Sequence, residues 1–225
     1  MTQHEWTALF PFHFGPSLER QVSLILARPG QPHRGELEAF IHDRFAAMHQ
    51  ADVRHYLPEL IGLQDHPGHL IAAVGLRPAS NGPLFLERYL DEPLEAVVCR
   101  QDGRVVRRSE LVEVGNLAAS SAGGARLIII AITWLLAIGD FKWVSFTGGP
   151  SLVNSFNRLG LQPLPIAEAD PARLNGDAAS WGNYYQQRPQ VHIGQIGSGH
   201  KLLKHAGVYR RLGLPLFGRV NCNAA

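Results

Sequence analysis

The sequence predicts one mixed α/β domain built around a single sheet. Three observations predict it. Period-2 and period-3.6 apolar patterns alternate in the order strand, helix, strands, helix, strand, helix, strand. A 12-residue apolar run, Leu127 to Ile138, is entered through Ser120-Ser121-Ala122-Gly123-Gly124 and closed by Gly139-Asp140. A membrane span needs about 20 such residues, so the run reads as a buried helix. The 225 residues are 45% apolar and 18% charged, which supports a packed core and excludes disordered, collagen-like and coiled-coil classes.

Taken in order, residues 1–20 read as a leader, 21–195 as the domain and 196–225 as a basic tail. Gln21 to Ala27 is a strand ended by Arg28-Pro29-Gly30. Glu36 to Asp52 is a helix, with Leu37, Phe40, Ile41, Phe45 and Met48 on helical spacing. Leu57 to Gln64 and His69 to Leu76 form a hairpin around Asp65-His66-Pro67-Gly68. Leu84 to Leu90 is a short helix or a lining loop. Ala96 to Cys99 and Arg104 to Val106 are expected to pair around Gln101-Asp102-Gly103, because Asp-Gly favours tight hairpins.

Glu110 to Ala119 is the next strand, followed by the small-residue turn and the apolar helix. Lys142 to Phe146 is a strand broken by Thr147-Gly148-Gly149-Pro150. Ser151 is expected to cap a short helix through Asn157, which Gly160 ends. Leu161 to Ile166 and Gln190 to Ile193 are strands, with an exposed loop at Arg173 to Ser180.

Charge is uneven. Net charge is +2, too small to imply a nucleic-acid partner. Residues 178–225 hold no acid and six bases: Arg188, Lys201, Lys204, Arg210, Arg211 and Arg219. That balance suits an anionic partner, such as a phosphate-bearing cofactor, an acidic protein or a lipid surface; the alternative is a solvated tail. Cys99 and Cys222 fit neither a disulfide framework nor a zinc site, and the His42, His49, His55 spacing supports no metal motif. Met1 to Glu5 shows no signal-peptide pattern, so the expected compartment is the cytoplasm.

The chemistry concentrates in Glu110 to Gly160. A glycine-bearing turn before a helix offers unpaired backbone N–H groups to a phosphate. The Gly-Lys-Ser/Thr ending of a P-loop and the G-x-G-x-x-G fingerprint are both missing.

This succession resembles the acyl-CoA-binding half of the GNAT acyltransferase superfamily, with Arg158-Leu159-Gly160-Leu161 at its helix end. Glu113-Val114-Gly115-Asn116-Leu117-Ala118 is similar to the corresponding strand of acyl-homoserine-lactone synthases. Phe85-Leu86-Glu87-Arg88-Tyr89-Leu90-Asp91, the Glu113 segment and Trp181-Gly182-Asn183-Tyr184-Tyr185 together resemble the bacterial thermostable hemolysin family over roughly residues 21–194.

The resemblance implies a GNAT-like, mostly antiparallel central sheet flanked by helices. It implies an acyl-CoA or acyl-phosphopantetheine donor, a small-molecule amine acceptor and an acyl carrier protein as a candidate partner; the histidine spacing adds the expectation of no metal. Asn116, Leu117 and Ala118 would present the strand edge to the donor. Ser120, Ser121, Gly123, Gly124 and Ala125 would hold its pyrophosphate, and Asn154 its pantetheine amides. Glu87, Arg88, Phe146, Thr147 and Phe156 would contact substrate.

Two departures stand out. Ser120 and Ser121 replace the Arg or Gln usual in the GNAT turn, and Phe156 stands where many such enzymes carry a tyrosine acid. Glu113 is then either a desolvated general base or a structural carboxylate bonding loop amides. Glu87 and Arg88 shape an acceptor pocket or form a surface ion pair. Tyr184 and Tyr185 supply the missing acid, wall an acyl tunnel, or belong to the core. Two rivals come from other classes: a membrane-active lytic protein using the basic His200 to Arg211 segment, and a GNAT fold that binds without catalysing.

Overall fold

A computed structural model describes residues 6–216 of the chain. Cys222 and Arg219 lie outside the described residues. Eight strands form one sheet in the order β1-β2-β3-β4-β5-β6-β8-β7. They are β1 (Phe12–Phe14), β2 (Val22–Ala27), β3 (Glu59–Gln64), β4 (Leu70–Pro78), β5 (Leu111–Ala119), β6 (Trp143–Gly148), β7 (Leu164–Glu168) and β8 (Gln190–Gln195). Every pairing is antiparallel except β5 with β6, the one pair joined through a buried helix.

The helices are α1 (Arg34–His49), α2 (Leu94–Asp102), α3 (Ala122–Ile138), α4 (Pro150–Asn157), α5 (Ile196–His205) and α6 (Val208–Arg211). The apolar run is the spine of one face. Ile128, Ala131, Trp134 and Leu135 of α3 are buried against Leu24, Ile61, Val74 and Val112 of the sheet. The other face is covered in two parts. Leu37 and Ile41 of α1 pack on Ile25, Leu60, Ala73 and Ala118. The 3-10 turn Phe85–Tyr89, α2 and Leu174 pack on Leu111, Val191 and Ile193.

The expected hairpin across Ala96 to Val106 is wrong. Leu94, Val97 and Val98 are buried at helical spacing, and Gly103 at φ 71° ends α2 as its left-handed cap. Asp-Gly supplies a positive φ to either structure, and the burial pattern decides between them. Ser151 does not cap α4. Gly149 is at the cap and Pro150 fills the first helical position, where its missing N–H costs nothing. The stretch Arg173 to Ser180 is not a simple exposed loop: Leu174 is completely buried there.

Residues 12–14 of the leader pair with β2, and residues 196–211 form α5 and α6. Ile196, Leu203 and Tyr209 join the α3 core, so these apolar residues of the basic segment are covered, while Leu202 stays exposed. Among the described residues, no helix is long and apolar enough to cross a membrane.

Candidate active site

Strands β5 and β6 pair in parallel from Leu111 opposite Trp143 to Val114 opposite Phe146, and no further. The cause is a bulge in β5. Between Ala73 and Gly75 of β4, β5 carries one extra residue. Asn116 sits there at φ 50°, a left-handed conformation that asparagine tolerates better than most side chains. Its Oδ1 accepts the Leu57 N–H (2.9 Å) and its Nδ2 donates to the His55 carbonyl (3.1 Å). Leu57 in turn packs where Gly75 and Gly115 lack side chains; a Cβ on Gly75 would come within 2.8 Å of it. Asn116 is therefore a structural pin for the bulge. Around it, Gly115, Ala118 and Ala119 stay paired to β4, and no residue from Gly115 to Ala119 has a β6 partner.

The unpaired edge leads into the α3 N-terminus. Ser121 is the N-cap, its Oγ accepting the Gly124 N–H (3.1 Å), while the Ala125 N–H bonds the Ser121 carbonyl (3.0 Å). The Ser120 N–H and hydroxyl both donate to the Ile71 carbonyl. Both serines thus serve the turn. Open space surrounds Gly123, where an added Cβ meets only Ser121 Oγ at 3.6 Å. Gly124 has a different role: its Cβ would lie 2.8 Å from the Ile71 oxygen, so it lets α3 approach β4.

Glu113 is 4% exposed on β5. Its two oxygens accept the Phe85 and Leu86 N–H groups, each at 2.9 Å. Burial raises its pKa, and the two amide hydrogen bonds oppose that rise. Both oxygens are committed to the turn, so the geometry is that of the structural carboxylate.

Glu87 and Arg88 likewise face protein partners. Glu87 meets the Arg108 guanidinium in a two-pronged pair (2.7 and 2.8 Å) and accepts the Leu84 and Leu94 N–H groups. Burial alone would raise the Glu87 pKa; Arg108 and the two amides outweigh it and hold it at about 2. Arg108 also reaches Glu95 and the Gly82 carbonyl. These residues line a cavity of about 480 Å³ between the 3-10 turn and α2. Arg88 bonds Asp177 and the Leu174 carbonyl and lies 5.4 Å over the Phe85 ring.

Phe146 is the middle ring of a stack. Phe156 of α4 lies 4.7 Å away on one side and His192 of β8 5.1 Å on the other. The stack walls the α3 face of the sheet at the point where β5 and β6 part. Asn154 is drawn elsewhere, into a cavity of about 270 Å³ shared with His192 and Arg188.

On the opposite face, the Tyr184 hydroxyl reaches the Thr147 carbonyl at 3.4 Å, past the last β5–β6 pair. Burial raises the Tyr184 pKa, so the phenol stays protonated at neutral pH. His49, the last residue of α1, meets Tyr184 edge to face at 5.2 Å. The His49 ring is buried and its Nδ1 has no hydrogen-bond partner. Burial lowers its pKa, against a hydrogen bond to the Asn183 side chain, leaving it neutral at pH 7. The backbone fixes this arrangement: the Asn183 N–H bonds the His49 carbonyl (2.8 Å), and Gly182 at φ 54° passes where a Cβ would lie 2.1 Å from that oxygen.

Sequence reasoning weighed His49 only as a metal ligand. Its signal was its position at the end of α1, which spacing alone does not connect to Tyr184. Among the described residues, no group of three His, Cys, Asp or Glu side chains could hold a metal ion.

Comparison with solved structures places the fold. The acyl-homoserine-lactone synthase LasI superposes with a TM-score of 0.57 at 10% identity, covering 89% of this chain and all of LasI. The CoA-dependent acyl-homoserine lactone synthase BjaI, solved with SAM and isopentyl-CoA, gives 0.56 at 14% identity, over 87% of this chain and 91% of its own. FeeM, an N-acyl amino acid synthase from uncultured soil microbes, gives 0.53 at 13% identity, over 81% and 96%. No curated protein matches the sequence. The thermostable hemolysin family model matches residues 27–200, and the chain belongs to that family, on a GNAT-like fold.

Proposed function

We propose that the chain is a thioester-dependent N-acyltransferase. The observation that carries this reading is the opening between β5 and β6, which begins at Val114 and Phe146 and leads to the uncovered Gly123 at the α3 N-terminus. A phosphopantetheine arm, on CoA or an acyl carrier protein, would lie along the free edge of Gly115 to Ala119. Backbone amides of Leu117 and Ala118 would orient its amides and thioester carbonyl. Its pyrophosphate, if the donor is CoA, would meet the Ala122 and Gly123 N–H groups at the α3 N-terminus, since those of Gly124 and Ala125 bond Ser121. The Phe146–Phe156 stack would wall the acyl end.

The acceptor would be an amine, entering from the α1 face. It arrives as an ammonium; one proton passes through a relaying water to the buried His49 Nδ1, and the freed lone pair forms the C–N bond at the thioester carbonyl. The tetrahedral adduct collapses with cleavage of the C–S bond. The thiolate takes a proton from Tyr184, whose phenolate recovers one from the new amide nitrogen. The sum is amide, thiol and one proton released through His49. Glu113 and Glu87 act as positioning residues, holding the Phe85–Tyr89 turn. The exposed Lys201, Lys204, Arg210 and Arg211 would suit an acidic carrier protein.

The lytic alternative is less well supported, because Ile196 and Leu203 of α5 are packed in the α3 core. Titration with acyl-CoA thioesters and charged carrier protein, followed by an amine screen with thiol release as readout, tests the proposal. Leakage of anionic liposomes with no thioester binding would favour the lytic reading.

A further inference from the structure

The cavity of about 270 Å³ beyond β6 is separate from the β5–β6 opening and has its own chemistry. Its walls include Gly149, Asn154, Arg188, Gln190 and His192, with no carboxylate among them. His192 is only 3% exposed yet borders the cavity. Its Nδ1 lies 3.0 Å from the Gln190 carbonyl, which places the ring proton there and leaves Nε2 without a hydrogen-bond partner among the described residues.

Arg188 forms no ion pair among the described residues. Its backbone is held at φ 49°, an uncommon conformation for arginine, by its N–H bond to the Tyr185 carbonyl (3.0 Å). Gly149 and Pro150 place the α4 N-terminus on the same cavity. An exposed guanidinium, a buried imidazole with one free nitrogen and two side-chain amides line one cavity whose walls carry no carboxylate.

We propose that this cavity binds an oxyanion, a carboxylate or a phosphate group, between Arg188 and His192. Arg188 supplies the charge and Asn154 a hydrogen-bond donor. His192 completes the site by taking up a proton and donating from Nε2. Burial keeps the empty ring neutral, and a bound anion favours the imidazolium. Binding therefore strengthens as pH falls. The groups around the ring are Phe146 from β6, Phe156 and Asn154 from α4, Pro165 from β7, and Arg188. Arg188 is the charged side chain on the cavity wall, and Glu168 of β7 stands opposite Gln190, two residues along β8 from His192.

The test follows the His192 ring signals by NMR in the full chain, during titration with sodium acetate, inorganic phosphate and adenosine 3′,5′-bisphosphate. The expected result is a saturable shift with a raised His192 pKa, and binding at least about tenfold weaker in Arg188→Gln, equivalent to about 1.4 kcal/mol. Asn154→Asp, on an exposed helix surface, adds a like charge and should weaken binding similarly, which keeps the test decisive if Arg188→Gln fails to fold. Tighter binding of phosphate or the bisphosphate identifies a phosphate group as the ligand; tighter binding of acetate identifies a carboxylate. No shift with any probe, or binding unchanged in the folded variants, overturns the proposal.

Discussion

Gly124 and Ile71 fit against each other so closely that a Cβ on Gly124 would sit 2.8 Å from the Ile71 carbonyl oxygen. Gly123, one residue earlier, faces open space. Two adjacent glycines therefore have different physical reasons, one for packing and one for access. Gly124→Ala should destabilise the chain by about 1–3 kcal/mol through backbone displacement. Gly123→Leu should leave stability unchanged or raise it by up to about 1 kcal/mol, since glycine is a poor helix former. Thermal unfolding of the two variants separates these outcomes.

Glu113→Ala removes the acceptor for both the Phe85 and Leu86 N–H groups. The expected loss is about 2–4 kcal/mol, with Glu113→Gln losing less because it retains one oxygen. Denaturant melts measure both. If Glu113 were instead the general base, Glu113→Gln would be stable and would lose an ionisation from the pH–rate profile.

The Glu87–Arg108 pair predicts acid sensitivity with a defined sign. Glu87 has its folded pKa depressed from 4.5 to about 2. Its stabilisation is present above pH 4.5 and is lost as pH falls toward 2. At pH 7, Glu87→Gln should cost about 2–4 kcal/mol, because Arg108 is left partly buried without its main partner. The gap between wild type and variant should narrow on acidification, as followed by circular dichroism melts across pH 7 to 3.

His49→Gln tests the proposed base. Acyl transfer should slow by about 10²-fold and lose its dependence on a group titrating below pH 7, while donor affinity stays unchanged. Single-turnover kinetics across pH measures this. A parallel donor titration separates loss of the base from loss of the binding site.

Much of the fold was legible because α3 is apolar enough to be assigned on composition alone and β5 leads directly into it. The turn at Ser120 to Gly124 marked the junction by its small residues. The β5 bulge was not legible: Asn116 reads as an ordinary strand residue until its amide is seen bridging Leu57 and His55. Asp102-Gly103 was misread because one dipeptide suits a hairpin and a helix end equally. Glu113 was found as a buried strand carboxylate, but its role depends on two amides 27 and 28 residues away in sequence. Asn154 was placed on the correct helix, but the cavity it lines with Arg188 and His192 is made by elements distant in sequence and was not legible. His49 and Tyr184 come together only through the clasp of residues 180–183 on the end of α1, a contact with no local sequence signature.

The most direct measurement is calorimetric titration with acetyl-, octanoyl- and palmitoyl-CoA and with carrier protein bearing the same chains, on wild type and Gly123→Leu. The account predicts saturable binding of at least one thioester, weakened by at least about tenfold in a Gly123→Leu chain that melts like wild type. Absence of binding to every thioester by the folded wild-type chain would contradict it.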